Sequence, residues 1–297
     1  MSNFVIVTDS TTDLPPAFAD ECGLEIIPYI YTLGGKEYHN YLDYREQPVK
    51  TFYDELREGK TATTTQVTAH RFMEVWRPML EKGHDILYIC LSSGLSKTYE
   101  QSVLAQREAA ETFPDRKVIT IDSRSASIGQ GLLAYHAFVK KGEGMSLEDT
   151  AVYIENLIPH LHQWVMADDL HHLRRGGRVS GAAAFVGTVL NVKPIIAVVE
   201  EGLLVPQTKV RGRAKAIDLF LEKMDEYEMD PKDQMIFIAH SDSEDMANAA
   251  KDAISKKYGI KNFMINNIGP VIGAHTGPGT INVNFIGKKV RVKKDAV

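Results

Sequence analysis

Cysteine is scarce in this chain: Cys22 and Cys90 are the only two, far apart and in no metal-like spacing. That excludes a disulfide framework and a cysteine-built zinc site, and reads as two reduced, buried thiols. Long apolar runs are missing as well. The most apolar stretch, Gly181 to Leu190, is too short and too small-sided to span a bilayer. The segment Met1 to Asp9 has no basic residues and no long apolar centre, so no signal peptide is expected and the expected location is cytoplasmic. There is no long basic run, and the formal net charge is -5, which argues against nucleic acid as the main partner. No Gly-x-x-x-x-Gly-Lys-Ser/Thr loop occurs, and no Gly-x-Gly-x-x-Gly follows a strand, so the chain has no recognisable nucleotide cradle. Nor is there a Gly-x-Ser-x-Gly elbow for a serine hydrolase. Neither cofactor nor metal is expected.

What is present is a globular composition, 44% hydrophobic and 25% charged over 297 residues, a length that favours two domains. Phe4 to Val7 reads as a buried strand, followed by a polar turn from Thr8 to Asp13. Pro15 and Pro16 open a helix that Gly23 ends. Glu25 to Thr32 is a second strand, and Gly34-Gly35 turns the chain. Helices are predicted over Val49 to Glu58 and Thr68 to Lys82, a strand over Asp85 to Leu91, and a helix from the Ser92–Ser96 loop to about Phe113. A strand over Lys117 to Ile121 and a helix over Ser127 to Lys141 follow. Ser146 with Asp149 opens another helix as a capping box. This strand–helix alternation predicts an α/β layer with a mainly parallel sheet.

The second half changes pattern. Gln163 to Met166 is a strand, Leu173 to Arg178 a loop, and Ser180 to Leu190 an Ala-rich helix. A hairpin is predicted over Pro194–Val199 and Leu203–Lys209, then a helix from Arg211 to Met229. Met235–Ala239, Ser243–Lys257 and Phe263–Ile268 repeat strand–helix–strand, and Ile281–Ile286 closes as a strand. The boundary falls near Pro159. The expectation is two α/β domains, 1–159 with a mainly parallel sheet and 160–297 with a mixed one, and a ligand pocket between them.

Three polar segments stand out. Gly269 to Thr280 carries four glycines and two prolines around one imidazole, His275, and reads as a rigid loop rather than a helix or strand. Ser92-Ser93-Gly94-Leu95-Ser96 follows a strand and opens a helix, where free N–H groups favour an anion. Ser96 reads equally well as a plain N-cap. Arg174, Arg175 and Arg178 flank two glycines and suit phosphate or a partner's carboxylates, or simply solvent. Arg211 and Arg213 sit at a predicted helix start, where cations are poorly placed. Lys60 to Gln66 reads as a threonine-rich linker, with Thr68 capping the next helix. His160, His162, His171 and His172, with Asp168 and Asp169, fit no standard metal spacing. Asp9 to Asp13 reads as an Asx-type turn at a pocket mouth.

Taken together these segments resemble the DegV family of bacterial fatty-acid-binding proteins. The resemblance rests on Thr8-Asp9-Ser10-Thr11, Asp13-Leu14-Pro15, Thr64-Thr65-Gln66, Ser92-Ser93-Gly94-Leu95-Ser96 with Thr98-Tyr99, Gly176-Gly177-Arg178 and the His275 segment, in family order over nearly the whole chain. Thr65 stands where serine is usual, Val67 where proline is usual, and Lys97 where glycine is common. The resemblance implies a long-chain fatty acid whose carboxylate is held by Thr64 and Ser96, with Ser93 and His275 in the same set. It also implies an ATP-binding fatty acid kinase as a separate partner, for which this chain is the lipid-binding, non-enzymatic subunit in phospholipid synthesis. Arg178 and Arg211 would serve that encounter, docking the kinase or neutralising phosphate, with His275 sharing in the charge neutralisation. Contact with a membrane would be transient, and a monomer is the default expectation.

Two competing functions remain open at this level. One is an enzyme or kinase substrate subunit for a small polar substrate, with His275 acting as in the dihydroxyacetone kinases. The other is a regulatory protein whose lipid is incidental.

Overall fold

The computed structural model describes residues 4–168, 170–179, 191–232 and 234–294. Elements run in the order β1 (Phe4–Asp9), α1 (Pro16–Glu21), β2 (Leu24–Ile27), β3 (Tyr29–Leu33), β4 (Lys36–Asn40), α2 (Val49–Arg57), β5 (Ala62–Thr65), α3 (Ala69–Glu81), β6 (Asp85–Cys90), α4 (Thr98–Thr112), β7 (Val118–Asp122), α5 (Ile128–Gly142) and α6 (Leu147–Leu157). Then come β8 (Leu161–Met166), α7 (His171–Arg175), β9 (Val192–Val198), β10 (Leu204–Arg211), α8 (Arg213–Glu226), β11 (Ile236–His240), α9 (Glu244–Tyr258), β12 (Phe263–Asn267), α10 (Pro270–Thr276) and β13 (Ile281–Ile286). The Ala-rich helix expected over Ser180 to Leu190 lies outside the described residues, as does Asp169.

The chain forms two α/β domains. One is built on a parallel sheet of order β2-β1-β6-β7, in register at Ile6↔Leu24, Phe4↔Asp85 and Ile86↔Val118. The other is built on a mixed sheet of order β10-β9-β8-β13-β11-β12, in which β11 and β12 pair in parallel and the other neighbouring strands antiparallel. A small antiparallel sheet, β4-β3-β5, flanks the first. Local chemistry sets many of the ends. Thr68 accepts the Arg71 amide and Ser146 the Asp149 amide, each capping its helix. Gly23 and Gly83 turn the chain at positive φ.

Several expectations need correction. Lys60 to Gln66 is not a linker: Ala62–Thr65 is β5, where β-branched threonines suit a strand once β3 supplies a partner. Leu173, Arg174 and Arg175 belong to α7 rather than to a loop. Arg211 ends β10 opposite Val192, and the helix begins at Arg213. The poorly placed cation there is answered by Asp168, whose carboxylate lies 3.2 Å from Arg213 and 2.8 Å from Lys193. The Asp9–Asp13 turn is an Asx turn, since Asp9 Oδ1 accepts the Thr11 amide at 3.0 Å. It lies in the interior and not at a pocket mouth, for Tyr88 and Gln130 also bond Asp9. His160 and His162 turn to the carbonyls of Gly287 and Lys289.

The two domains share one apolar cluster. Leu132, Leu133 and Ala137 of α5 pack with Phe237 and Ala239 of β11 and with Ile268. The segment leading into α10 is fixed by the first domain: Asp13 Oδ1 accepts the Gly269 amide at 2.9 Å, and Tyr53 donates to the Ile268 carbonyl at 2.7 Å.

Candidate functional site

The strand β5, the loop after β6, α7 and α10 converge on one cavity of about 230 Å³. Leu91, Leu95, Leu173, Leu204, Val271 and Ile272 give it an apolar wall, and its polar groups include Thr64, Ser96, Arg178 and His275. The first two come from the first domain and the last two from the second, so the cavity lies between them.

His275 is not in a loop. It occupies the last turn of α10, which Pro270 opens and Gly277 closes at φ 73°. Its Nε2 lies 3.0 Å from Thr64 Oγ1. Its Nδ1 is buried with no hydrogen-bond partner among the described residues, and a Cβ on Gly176 would run into that atom. Burial, with Arg178 and Arg175 nearby, pulls the imidazole down to about 4, so it is neutral at pH 7. It therefore rests as a neutral hydrogen-bonding group. A proton on Nδ1 would be an orphaned buried donor, which proteins avoid more strictly than an unmet acceptor. Placed on Nε2, the proton goes to Thr64 Oγ1 and frees the threonine hydroxyl to donate elsewhere.

Ser96 is forced into the same role. Thr98 Oγ1 accepts from the Tyr29 hydroxyl at 2.7 Å and from the Val67 amide at 3.2 Å. With both lone pairs taken, its proton goes to Ser96 Oγ, 3.0 Å away. Ser96 Oγ also accepts the Thr98 amide at 3.2 Å. Its own proton is then left to donate. Two hydroxyl donors thus line one end of an apolar cavity, a combination suited to a carboxylate on a hydrocarbon chain.

The other expected residues divide. Arg178 is exposed, lines the cavity and bonds the carbonyls of Leu95 and Gly176. Lys97 also lines the cavity, but its ammonium pairs with Glu100 at 2.9 Å. Ser93 is not brought to the cavity: its hydroxyl donates to Asp122 at 2.5 Å and its amide to the same carboxylate at 3.0 Å. Arg211 lies apart from the cavity, in a surface groove with Lys215, Asp218 and Glu222. Among the described residues no His, Cys, Asp or Glu cluster could hold a metal, and no helix is long and apolar enough to cross a membrane. Sequence reasoning passed over Tyr29, which orders the Thr98–Ser96 pair, and the wall residues Leu173, Leu204 and Ile272. A buried tyrosine or leucine carries no local sign of lining a cavity rather than filling a core.

Residues 3–288 match the model of a family described as "Uncharacterised protein, DegV family". A DegV domain-containing protein of Clostridium perfringens is 38% identical over 287 residues, covering 97% of this chain and 98% of that protein. One from Lactococcus lactis is 36% identical, covering 97% and 99%. Among solved structures, a DegV lipid-binding protein of Thermotoga maritima superposes with a TM-score of 0.86 at 27% identity, over 98% of this chain and 100% of that one. A DegV family protein of Thermus thermophilus, described for its fatty acid binding, gives 0.84 at 30% identity, over 96% and 99%.

Proposed function

Because the chain belongs to the DegV family, we propose that it binds a long-chain fatty acid and presents the carboxylate to a separate ATP-dependent kinase, which forms the acyl-phosphate. The observation that carries this reading is the proton accounting at Thr64 and Ser96: both hydroxyls are left to donate into a cavity whose wall is otherwise largely apolar. The fatty acid binding described for the Thermus thermophilus relative supports it. The hydrocarbon supplies the affinity. At about 0.8 kcal/mol per buried methylene, a chain of about fifteen contributes roughly 12 kcal/mol before the costs of binding.

Holding the carboxylate with neutral donors keeps its oxygens nucleophilic toward a phosphoryl group. Arg178, beside the cavity, neutralises charge as that group transfers. Arg211, exposed at the end of β10, belongs to the kinase docking face. ATP comes with the partner, in keeping with the missing nucleotide loop, and the lipid enters and leaves through transient membrane contact.

The test is mass spectrometry of an organic extract of the purified protein, followed by addition of kinase and ATP. A stoichiometric fatty acid is expected, lost when Thr64→Val and Ser96→Ala are combined. Arg178→Ala and Arg211→Ala are expected to keep the lipid but stop its phosphorylation. Protein that stays empty when offered oleate or palmitate overturns the binding reading; phosphorylation that survives both arginine changes overturns the docking assignment.

A further inference from the structure

Against the wall formed by Leu173, Leu204 and Ile272, the cavity adjoins a smaller compartment of about 30 Å³. The two share Ala126, Leu173, Leu204, Ile272 and Thr276 in their walls, so the compartment extends the space an acyl chain would occupy. Five polar side chains reach it, and four are accounted for. Ser127 donates to Asp13 at 2.6 Å. Gln163 accepts from Ser125 at 2.9 Å and donates to the Ala126 carbonyl at 2.6 Å. The hydroxyls of Thr276 and Thr280 donate to the carbonyls of Ile272 and Thr276.

The fifth is Asn282. Its residue is 2% exposed, and its carboxamide oxygen has no hydrogen-bond partner among the described residues. Strand alternation sets it there: Ile281, Val283 and Phe285 pack into the core on one face of β13, which leaves Asn282 and Asn284 on the other. The Asn284 oxygen is unpartnered too, but its amide donates to the Phe237 carbonyl and it does not reach the compartment. A buried acceptor left unmet is costly, and a hydrocarbon tail cannot meet it.

We infer that the compartment around Asn282 is a hydroxyl subsite, so that this protein takes acyl chains bearing a hydroxyl along their length as well as plain ones. The inference rests on the fatty-acid reading of the neighbouring cavity. A hydroxyl both donates and accepts, and so satisfies the carboxamide whichever way it is turned. About 30 Å³ admits one group of that size. A water molecule offers the same chemistry, and the experiment separates the two.

The full chain, stripped of lipid, is titrated with stearate and with a set of hydroxystearates differing in hydroxyl position, for the wild type and Asn282→Val. In the wild type at least one hydroxystearate is expected to bind as tightly as stearate or more tightly. In Asn282→Val that acid is expected to lose about tenfold or more while stearate does not weaken. If every hydroxystearate binds the wild type about tenfold more weakly than stearate, the compartment holds water and the inference falls. An equal loss of both acids in the variant overturns it as well. Should Asn282→Val not fold, the wild-type comparison decides alone. Failure of stearate itself to bind brings down the fatty-acid reading, an outcome distinct from the other two.

Discussion

Gly176 shows how one residue sets the site. Its φ is -75°, a value any residue adopts, so what requires glycine is space. A Cβ there would run into Nδ1 of His275, whose other nitrogen lies against Thr64. Gly176→Ala is therefore expected to push the imidazole off the threonine hydroxyl. Bound fatty acid should weaken by about tenfold, with a stability loss of about 1–3 kcal/mol from overpacking. Gly142→Ala is the control, because a Cβ there meets nothing within 4 Å. Fluorescent fatty acid titration and urea melts read both variants, and unchanged affinity in Gly176→Ala would remove His275 from the binding set. The residue scale is also where the sequence was least legible. Ser92, Ser93 and Ser96 look alike as letters. Only the structure shows that Ser92 donates to the Gly202 carbonyl and Ser93 to Asp122, leaving Ser96 for the cavity.

At the scale of elements, the helices and strands with strong periodicity or clear stop signals were readable, among them β1, β6, α3 and α5. The elements fixed by distant partners were not. Strand β5 exists through its pairing with β3, and α10 has seven residues, too few to persist on propensity alone. Its start is held by Asp13, whose Oδ1 accepts the Gly269 amide across 256 positions of sequence. Burial pushes the Asp13 carboxyl up to about 8, opposed by the bonds from Ser127 and Gly269. The fold thus keeps a proton that the unfolded chain releases near the ordinary carboxyl value of 3.8. The stability this contributes is fully present below about pH 3.8 and is lost as pH rises through about 8. Asp13→Asn keeps an acceptor for the Gly269 amide and has no proton to lose. Its urea midpoint should match the wild type at about pH 3.5, where the unfolded chain also holds the proton, and exceed it at about pH 9. Parallel profiles at the two pH values would mean that Asp13 does not titrate in this range.

Across the whole molecule, the segment after β13 ties parts that no single sheet connects. The Gly287 amide donates to the His160 carbonyl at 2.9 Å and the Arg291 amide to Pro159 at 2.8 Å. The Val292 carbonyl accepts the Glu200 amide at 2.9 Å, in the turn between β9 and β10. That turn carries Gly202, whose carbonyl accepts the Ser92 hydroxyl at 2.7 Å, four residues before Ser96. At the centre lies Arg291, 3% exposed and in no ion pair among the described residues. Its guanidinium reaches the Arg124 carbonyl at 2.7 Å, after β7, and the Ile158 carbonyl at 3.1 Å, at the end of α6. A buried guanidinium is expensive unless its donors are met, and carbonyls meet them here. Arg291→Met removes the buried charge but strands both carbonyls. The two effects oppose, and at about 1–3 kcal/mol for each unmet carbonyl the loss wins, with a net destabilisation of about 1–3 kcal/mol. Lys293→Met, at an exposed side chain, should stay within about 0.5 kcal/mol. Because the turn at Gly202 rests on both the tail and the Ser92 loop, the same Arg291 variant should release fatty acid faster than the wild type. Urea melts and dissociation kinetics measure the two effects. Full stability in Arg291→Met would show that the tail lies on the two domains without holding them, and a melt that falls while release is unchanged would break the link from tail to site.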